Sequence, residues 1–476
     1  MKLERLCKSA GINCPENLKD IEITSVVSDS RKVEKNSIFV ALSGTKDDGN
    51  RYADEARSKG AVVVSETSVG DIRCRDAHRT LAFLCRELYG GGIEKLKLAA
   101  VTGTNGKTTH VELMKNIFEE DGKKVGTIGT LGCFSLSGQI KKDLPYFANM
   151  TTPDPEILYP VLSEMAADGA EYIFIEASSH ALAKKKLDAL RFDVGVLTNL
   201  TRDHLDFHKT FENYLEAKIH ILELCDKFIV NADDENAYRF GKTLTCSERQ
   251  KADFTAENIE FCGLDGCAYD AVFGNEKIRI NSRIPGGFTV MNTLEAVAAA
   301  ATLGASRESI AKGIAKTTCV PGRMEDATPE GADFRVFIDY AHTPDALEKA
   351  IATLKKFATG RVIVLFGCGG ERDRGKRRLM GEVASKYADF AIVTSDNSRS
   401  EPTESIINDI LTGFDAETPH KVIPDRREAI FYAVKNAKRG DVLLLAGKGH
   451  EKYEINSTGK IYFDEKEYVM KAWEEK

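Results

Sequence analysis

Gly103-Thr104-Asn105-Gly106-Lys107-Thr108-Thr109 is the stretch whose residue types and spacing carry the most definite chemistry. Glycines let successive backbone N–H groups turn toward one point, and a helix start adds its partial positive charge there. Such a loop cradles phosphate. Lys107 is placed to reach the outer phosphates of a nucleotide, and the Thr108 hydroxyl to ligate Mg²⁺. The usual nucleotide loop has four residues between its glycines, whereas Gly103 and Gly106 enclose two. On its own, a short Gly-x-x-Gly-Lys-Thr is also compatible with a mere turn. The flanks favour the site: Leu98-Ala99-Ala100-Val101 leads in, and Val111, Met114, Ile117 and Phe118 recur behind it at helical spacing. We read this strand, loop and helix start as an ATP site.

Two more polar stretches follow apolar runs. Glu176-Ala177-Ser178-Ser179-His180 follows residues 172–175, and Thr198-Asn199-Leu200-Thr201-Arg202-Asp203-His204 follows 194–197. Strand ends in a parallel sheet project into the ligand crevice, so Glu176 and His204 are expected to face the same phosphates. Either alone reads as an ordinary loop residue; their joint placement downstream of the glycine loop favours function. Lys218 lies in a helical stretch, 211–224, and by itself reads as a solvated surface lysine.

The elements that must hold these residues fall into three α/β units. A chain of 476 residues exceeds one ordinary core. Residues 1–95 read as a small α/β unit, with strands in 37–42 and 61–64 and a helix over 52–59. Its Asp29-Ser30-Arg31 and Asp47-Asp48-Gly49 read as polar loops. Residues 96–320 read as a central unit with a mostly parallel sheet, its strands including 172–175, 194–197 and 228–230. Pro321-Gly322 punctuates its end. Residues 321–476 repeat the alternation, with strands at 335–338, 362–366, 390–393 and 442–445 and a helix over 344–357.

Charged residues at 29% and hydrophobic ones at 42% describe a soluble globular protein, and a formal charge of −7 argues against a general affinity for nucleic acid. No apolar run is long enough to span a bilayer, and the N-terminus lacks a signal-peptide core. The eleven cysteines are scattered, and Cys262 and Cys267, the nearest pair, have no His or second Cys pair beside them. Reduced thiols in a cytoplasmic protein are expected.

Together, Thr102 to Thr109, Glu176-Ala177-Ser178-Ser179-His180-Ala181-Leu182, Thr198-Asn199-Leu200, Asp203-His204-Leu205-Asp206 and Ala217-Lys218 resemble the Mur ligases. Pro321-Gly322-Arg323-Met324-Glu325, Asp339-Tyr340-Ala341-His342-Thr343-Pro344 and Gly447-Lys448-Gly449-His450-Glu451 are similar to the UDP-N-acetylmuramoyl-tripeptide synthetase branch. The resemblance implies a three-domain architecture: a small N-terminal domain for the UDP end of the substrate, a central P-loop domain for ATP, and a Rossmann-like C-terminal domain for the incoming amino acid. It implies phosphorylation of the D-glutamate γ-carboxylate of UDP-MurNAc-L-Ala-D-Glu by ATP, then attack by an amine on the acyl phosphate. A monomer is expected, acting on small molecules without nucleic acid or membrane insertion.

By the same resemblance Lys107, Glu176, His204 and Lys218 are catalytic. Thr108, Glu176, His204 and Lys218 serve Mg²⁺, with Lys218 carbamylated by CO₂. Gly103, Thr104, Asn105, Gly106, Lys107, Thr108, Thr109, Asn292, Arg323, Asp339 and His342 hold ATP, with Asp339 on the ribose hydroxyls and Arg323 against phosphate charge. Ser28, Thr151, Thr152, Ser178 and Lys186 match UDP-substrate positions; Arg372, Asp396, Asn397, Arg399, Gly447 and Glu451 match amino-acid positions. Asp396-Asn397-Ser398-Arg399 resembles the Asp-Asn-Pro-Arg motif of enzymes that add meso-diaminopimelate, whose distal carboxylate Arg399 and Arg372 would clasp. The alternative is the same ligation with L-lysine. A folylpolyglutamate synthetase or a non-catalytic homologue fits less well, because the N-terminal motifs are present and Lys107, Glu176, His204 and Lys218 are intact. The chain departs from the family at Lys186, usually Arg, and at Thr289 and Met291 beside Asn292, commonly Asn and Tyr. Ser398 replaces a proline, which predicts a less firmly aimed Arg399.

Overall fold

The computed structural model describes residues 1–44, 48–140 and 150–476, so Asp47 lies outside the described residues. The chain folds as two compact units, one comprising Met1–Leu200, Phe207–Cys246 and Ala298–Ile310, the other Thr201–Asp206, Ser247–Val297 and Ala311–Lys476.

The first unit opens with a four-stranded parallel sheet, β1 (Ser25–Val27), β2 (Ser37–Val40), β3 (Val62–Ser65) and β4 (Ile72–Arg73), in that order. The segments read as polar loops hold one-turn 3₁₀ helices, Ser30–Lys32 and Gly49–Tyr52. Asp29 and Asp48 cap them by accepting the amides of Arg31 and Asn50, a local bond that converts a polar turn into a helical one.

Then come β5 (Lys97–Thr102), β6 (Val125–Gly129), β7 (Gly132–Ser135), β8 (Gly138–Gln139), β9 (Tyr172–Glu176), β10 (Phe192–Leu197), β11 (Cys225–Asn231) and β12 (Leu244–Ser247). Their spatial order is β12-β11-β10-β5-β9-β6-β7-β8, parallel from β12 to β6. β5 sits between β9 and β10, so its run from Leu98 to Thr102 is buried, as a central parallel strand requires. The helix Lys107–Glu120 buries Val111, Leu113, Met114, Ile117 and Phe118, and the Phe118 ring packs 4.5 Å from Tyr172 and 5.3 Å from Phe174 on β9. That contact seats the C-terminal end of the helix against β9. The expected helix over 211–224 is an α-helix, Phe211–Ile219, finishing in a 3₁₀ turn, His220–Leu224.

In the second unit, β13 (Phe254–Phe261), β14 (Cys267–Phe273) and β15 (Glu276–Ser282) form antiparallel pairs. In β15, Ile278, Ile280 and Ser282 are buried between exposed Lys277, Arg279 and Asn281. The remaining strands are β16 (Glu325–Asp326), β17 (Arg335–Asp339), β18 (Val362–Phe366), β19 (Phe390–Val393), β20 (His420–Val422), β21 (Val442–Ala446) and the hairpin β22 (Tyr453–Asn456) with β23 (Gly459–Tyr462). The six-stranded sheet runs β16-β17-β21-β18-β19-β20, parallel from β17 to β20. Its faces carry separate cores: Phe337, Val364 and Leu444 on one side, Val336, Leu365 and Leu443 on the other. β21, late in the chain, inserts between β17 and β18. The loops leaving β17, β18, β19 and β21 therefore share the carboxyl edge, where such sheets place ligands.

Candidate active site

In the first unit the glycine loop is built by what it lacks. Gly103 has φ +146°, and a Cβ there would lie 1.9 Å from Thr198 Oγ1 at the end of β10. Gly106, with φ +88°, turns the chain into the helix. The loop is tied down by hydrogen bonds: Thr104 N donates to Asn199 O (2.9 Å), Asn105 N to Asn199 Oδ1 (3.0 Å), and Thr198 Oγ1 to Asn105 O (2.6 Å). Lys107 Nζ curls over the loop, donating to the carbonyls of Gly103 (3.0 Å) and Thr104 (2.9 Å). Thr108 and Thr109 are buried in the first turn. A rigid, glycine-opened helix start under an ammonium fits a polyphosphate.

Glu176, at the end of β9, is 1% exposed and accepts from Thr130 N (2.8 Å) and Thr130 Oγ1 (3.0 Å). A Cβ on Gly129 would collide with this carboxylate, so a glycine there admits it. Lys218 is 1% exposed, which overturns its surface reading. Its Nζ donates to Thr102 Oγ1 (3.2 Å) and Gly103 O (2.9 Å) and lies 4.9 Å from the Tyr214 ring centroid. Among the described residues no three His, Cys, Asp or Glu converge to hold a metal ion. Thr108 and Glu176 supply hard oxygen donors, the set that suits Mg²⁺ when phosphate oxygens and water complete the shell. His204 is described in the second unit, on Thr201–Asp206, with φ +53° and its ring 3.4 Å from Asp203.

Three of the expected UDP-substrate residues, Thr151, Thr152 and Ser178, lie in the hydrogen-bond network around Glu176. Thr130 Oγ1 lies 3.2 Å from Thr151 Oγ1; Thr152 Oγ1 donates to Glu176 O (2.6 Å) and lies 3.2 Å from Ser178 Oγ. Lys186 is buried, donating to Thr152 O (3.2 Å) and pairing with Asp154 (2.7 Å). Ser28 donates from amide and hydroxyl to Glu156. Sequence reasoning missed Thr130 and Tyr214, whose hydroxyl lies 2.8 Å from Thr104 Oγ1. Thr130 follows a strand end, and Tyr214 is one helical turn from Lys218; those were the available signals.

In the second unit, Asn292 is buried in the helix Phe288–Thr302. Asp339 ends β17, and its two oxygens accept from Met324 N (2.6 Å) and Ala341 N (2.8 Å). It thus braces the Arg323 turn, and each oxygen keeps a second acceptor position. Arg323 stacks on Tyr340, 4.6 Å from the ring centroid. His342 Nδ1 lies 2.7 Å from Tyr340 O, so the neutral ring donates there and leaves Nε2 as an acceptor. Burial, then the Lys376 ammonium, push the His342 imidazole down to about 4.

The loops after β18, β19 and β21 hold the expected amino-acid residues. Asp396 and Asn397 are buried. Burial pushes the Asp396 carboxyl up, but Lys448 and Arg426 outweigh it and hold it below its ordinary range. Asn397 Oδ1 accepts from Lys448 Nζ (3.2 Å) and Ile455 N (2.9 Å), which aims its amide at Glu451 Oε2 (2.8 Å). Burial, then Asp396, raise the Glu451 carboxyl. Gly447, with φ +117°, brings the β21 loop against Asp396.

Arg399 is half-buried, with its backbone in the left-handed region, φ +55°. Its amide donates to Ile455 O (3.0 Å), and Nη1 to Gly370 O (2.7 Å) and Asn397 O (3.1 Å). The expectation of a loosely aimed side chain is therefore corrected: three hydrogen bonds replace the missing proline. Among the described residues its Nε and Nη2 make no hydrogen bond, leaving the edge that takes a carboxylate in two parallel bonds. Burial, then exposed Arg372, depress the Arg399 guanidinium.

Family models match three stretches: the Mur ligase family catalytic domain over residues 22–84, the Mur ligase middle domain over 101–300, and the Mur ligase glutamate ligase domain over 322–449. The chain belongs to the Mur ligase family. A UDP-N-acetylmuramoyl-L-alanyl-D-glutamate–2,6-diaminopimelate ligase of Clostridium acetobutylicum is 40% identical over 463 residues, 94% of either chain. One of Geobacillus kaustophilus is 40% identical over 476 residues, 96% of either chain. A solved structure of such a ligase matches with TM-score 0.70 and 32% identity, covering 100% of this chain and 99% of its own. The Thermotoga maritima MurF ligase solved with ADP shares the fold, with TM-score 0.61 and 20% identity over 96% of this chain and 98% of its own.

Lys107→Ala removes the ammonium while the loop backbone keeps its own bonds. ATP-dependent phosphate release should fall by roughly two orders of magnitude or more with folding unchanged; near wild-type turnover would remove Lys107 from the mechanism. For His342, NMR titration should give a midpoint near 4. The unfolded chain takes this proton as pH falls below its ordinary 6.5, the folded chain only near 4. Its contribution to stability is thus complete above that range and lost as pH falls through it, and His342→Gln should flatten part of the fall. A midpoint at 6 or above contradicts this.

Proposed function

We propose that the chain is the ATP-dependent ligase that joins meso-2,6-diaminopimelate to the D-glutamate γ-carboxylate of UDP-MurNAc-L-Ala-D-Glu in peptidoglycan precursor synthesis. The observation that carries the choice of amino acid is the Arg399 edge. Two guanidinium groups, Arg399 and Arg372, stand beside the carboxylates Asp396 and Glu451, and a molecule bearing both amines and carboxylates complements that set. The names of the relatives point the same way.

The chain divides by role into residues 1–95 for the UDP end, 96–320 for ATP and 321–476 for the amino acid, a division supported by the three matched stretches. It works as a monomer in the cytoplasm; among the described residues no helix is long and apolar enough to cross a membrane.

A carboxylate is a poor electrophile, so the reaction first supplies a leaving group. The γ-carboxylate oxygen attacks the γ-phosphorus of ATP, the bond to the β–γ bridging oxygen breaks, and ADP departs. The amine nitrogen then attacks the acyl carbon, the carbon–oxygen bond to phosphate breaks, and phosphate leaves as the nitrogen gives up a proton. Lys107 and the loop amides neutralise the phosphate charge that shifts in the first step. Thr108 and Glu176 would hold Mg²⁺, which would supply further neutralisation of phosphate charge, and His204 keeps the metal role that the family resemblance implies for it. Ser28, Thr151, Thr152, Ser178 and Lys186 orient the UDP substrate; Asn292, Asp339 and His342 hold ATP together with Arg323, which stands against the phosphate charge. Lys218 would carry a carbamate in this reading: its buried amine would take up CO₂ with loss of a proton, and the carbamate would supply an anionic oxygen donor.

Wild type should prefer meso-diaminopimelate to L-lysine by about two to three orders of magnitude in kcat/KM, since lysine leaves the Arg399 donors without an acceptor. Arg399→Ala should raise KM for diaminopimelate far more than KM for ATP, and a wild-type preference for lysine would sink this reading. Lys218→Ala should be nearly inactive and regain turnover with added short carboxylates; a fully active variant would dismiss the carbamate.

A further inference from the structure

The Asp396-Asn397 loop and the Gly447–Glu451 loop leave β19 and β21, which are not neighbours, because β18 lies between them. Sheet hydrogen bonds therefore do not fix one loop against the other directly. Arg426 spans the gap. It opens the helix Arg426–Asn436, its side chain is buried, and each nitrogen is committed. Nη1 donates to Ser395 O (3.0 Å), Nη2 to Ala446 O (2.8 Å), and Nε to Glu465 Oε1 (2.8 Å). Ser395 and Ala446 are the residues immediately before Asp396 and Gly447. Glu465, also buried, comes from the helix Glu465–Glu474 and holds the guanidinium from behind.

A rigid planar fork with its nitrogens tied to three separate segments has one placement, which a flexible ammonium does not reproduce. Side chains of the same two loops also tie to β22: Ser395 Oγ donates to Glu454 Oε1 (2.8 Å), and Lys448 Nζ to Tyr453 O (2.9 Å). We infer that Arg426 is a positioning residue of the amino-acid pocket, setting the loop that carries Asp396 and Asn397 against the loop that carries Gly447 and Glu451. This rests on the reading of those loops as the diaminopimelate site. Removal of the fork leaves the buried carbonyls of Ser395 and Ala446 without their donor, so the loops shift rather than the sheet.

Steady-state kinetics of the full chain test it, with wild type, Arg426→Lys, Glu465→Gln and Asp396→Asn side by side. Arg426→Lys should raise KM for diaminopimelate roughly tenfold or more, with KM for ATP and for the UDP substrate within about twofold. Glu465→Gln keeps an acceptor for Nε and should give a smaller rise with the same selectivity; it decides the matter if Arg426→Lys does not fold. KM values for all three substrates rising together would make Arg426 merely structural and overturn the inference. An unchanged diaminopimelate KM in the folded Arg426 and Glu465 variants, with Asp396→Asn raising it, would overturn the inference alone. Asp396→Asn without effect would instead overturn the reading of the pocket.

Discussion

The first unit depends on one close approach, that of Gly103 to the end of β10. No side chain fits there, because its first carbon would overlap Thr198 Oγ1. The approach lets Thr198 and Asn199 hold the loop by its own backbone, and it carries the Gly103 carbonyl to the buried Lys218 amine. The loop is thus set in place by the framework before any phosphate arrives, which is the condition under which fixed dipoles stabilise charge most. Tyr214 and Lys218, a turn apart on one helix, reach the same loop from below. Loop, β10 and that helix form a single rigid seat.

The second unit meets a different constraint. Its pocket gathers carboxylates and cations out of water, and an unpaired buried charge is costly. The charges are consequently interleaved: Lys448 lies 3.7 Å from Asp396, and Arg426 is paired with Glu465. The side chains left to address a ligand, Arg399 above all, are those with unspent donors at the rim of that balanced base.

Much of this was legible in the sequence, and for physical reasons. Central parallel strands must be apolar on both faces, so β9, β10, β11, β17, β18, β19 and β21 stood out as unbroken runs. The polar motifs that follow them lie at strand ends, where ligand chemistry belongs. The strands β13, β14 and β15 went unread because one-sided sheets alternate buried and exposed residues and present no such run. The burial of Lys218 was invisible because its helix amphipathicity is weak. Arg399 showed the opposite failure: the lost proline suggested looseness, while two of the compensating bonds come from Gly370 and Ile455, whose proximity only the fold supplies. Long-range partners of this kind leave no local pattern.

The central claim is that carboxylate activation by phosphoryl transfer precedes amide formation. UDP-MurNAc-L-Ala-D-Glu labelled with ¹⁸O in its γ-carboxylate, incubated with the protein, ATP, Mg²⁺ and meso-diaminopimelate, tests this directly through the mass of the released phosphate. The account predicts that one labelled oxygen passes from the carboxylate into inorganic phosphate for every amide formed. Amide product accompanied by unlabelled phosphate would contradict it.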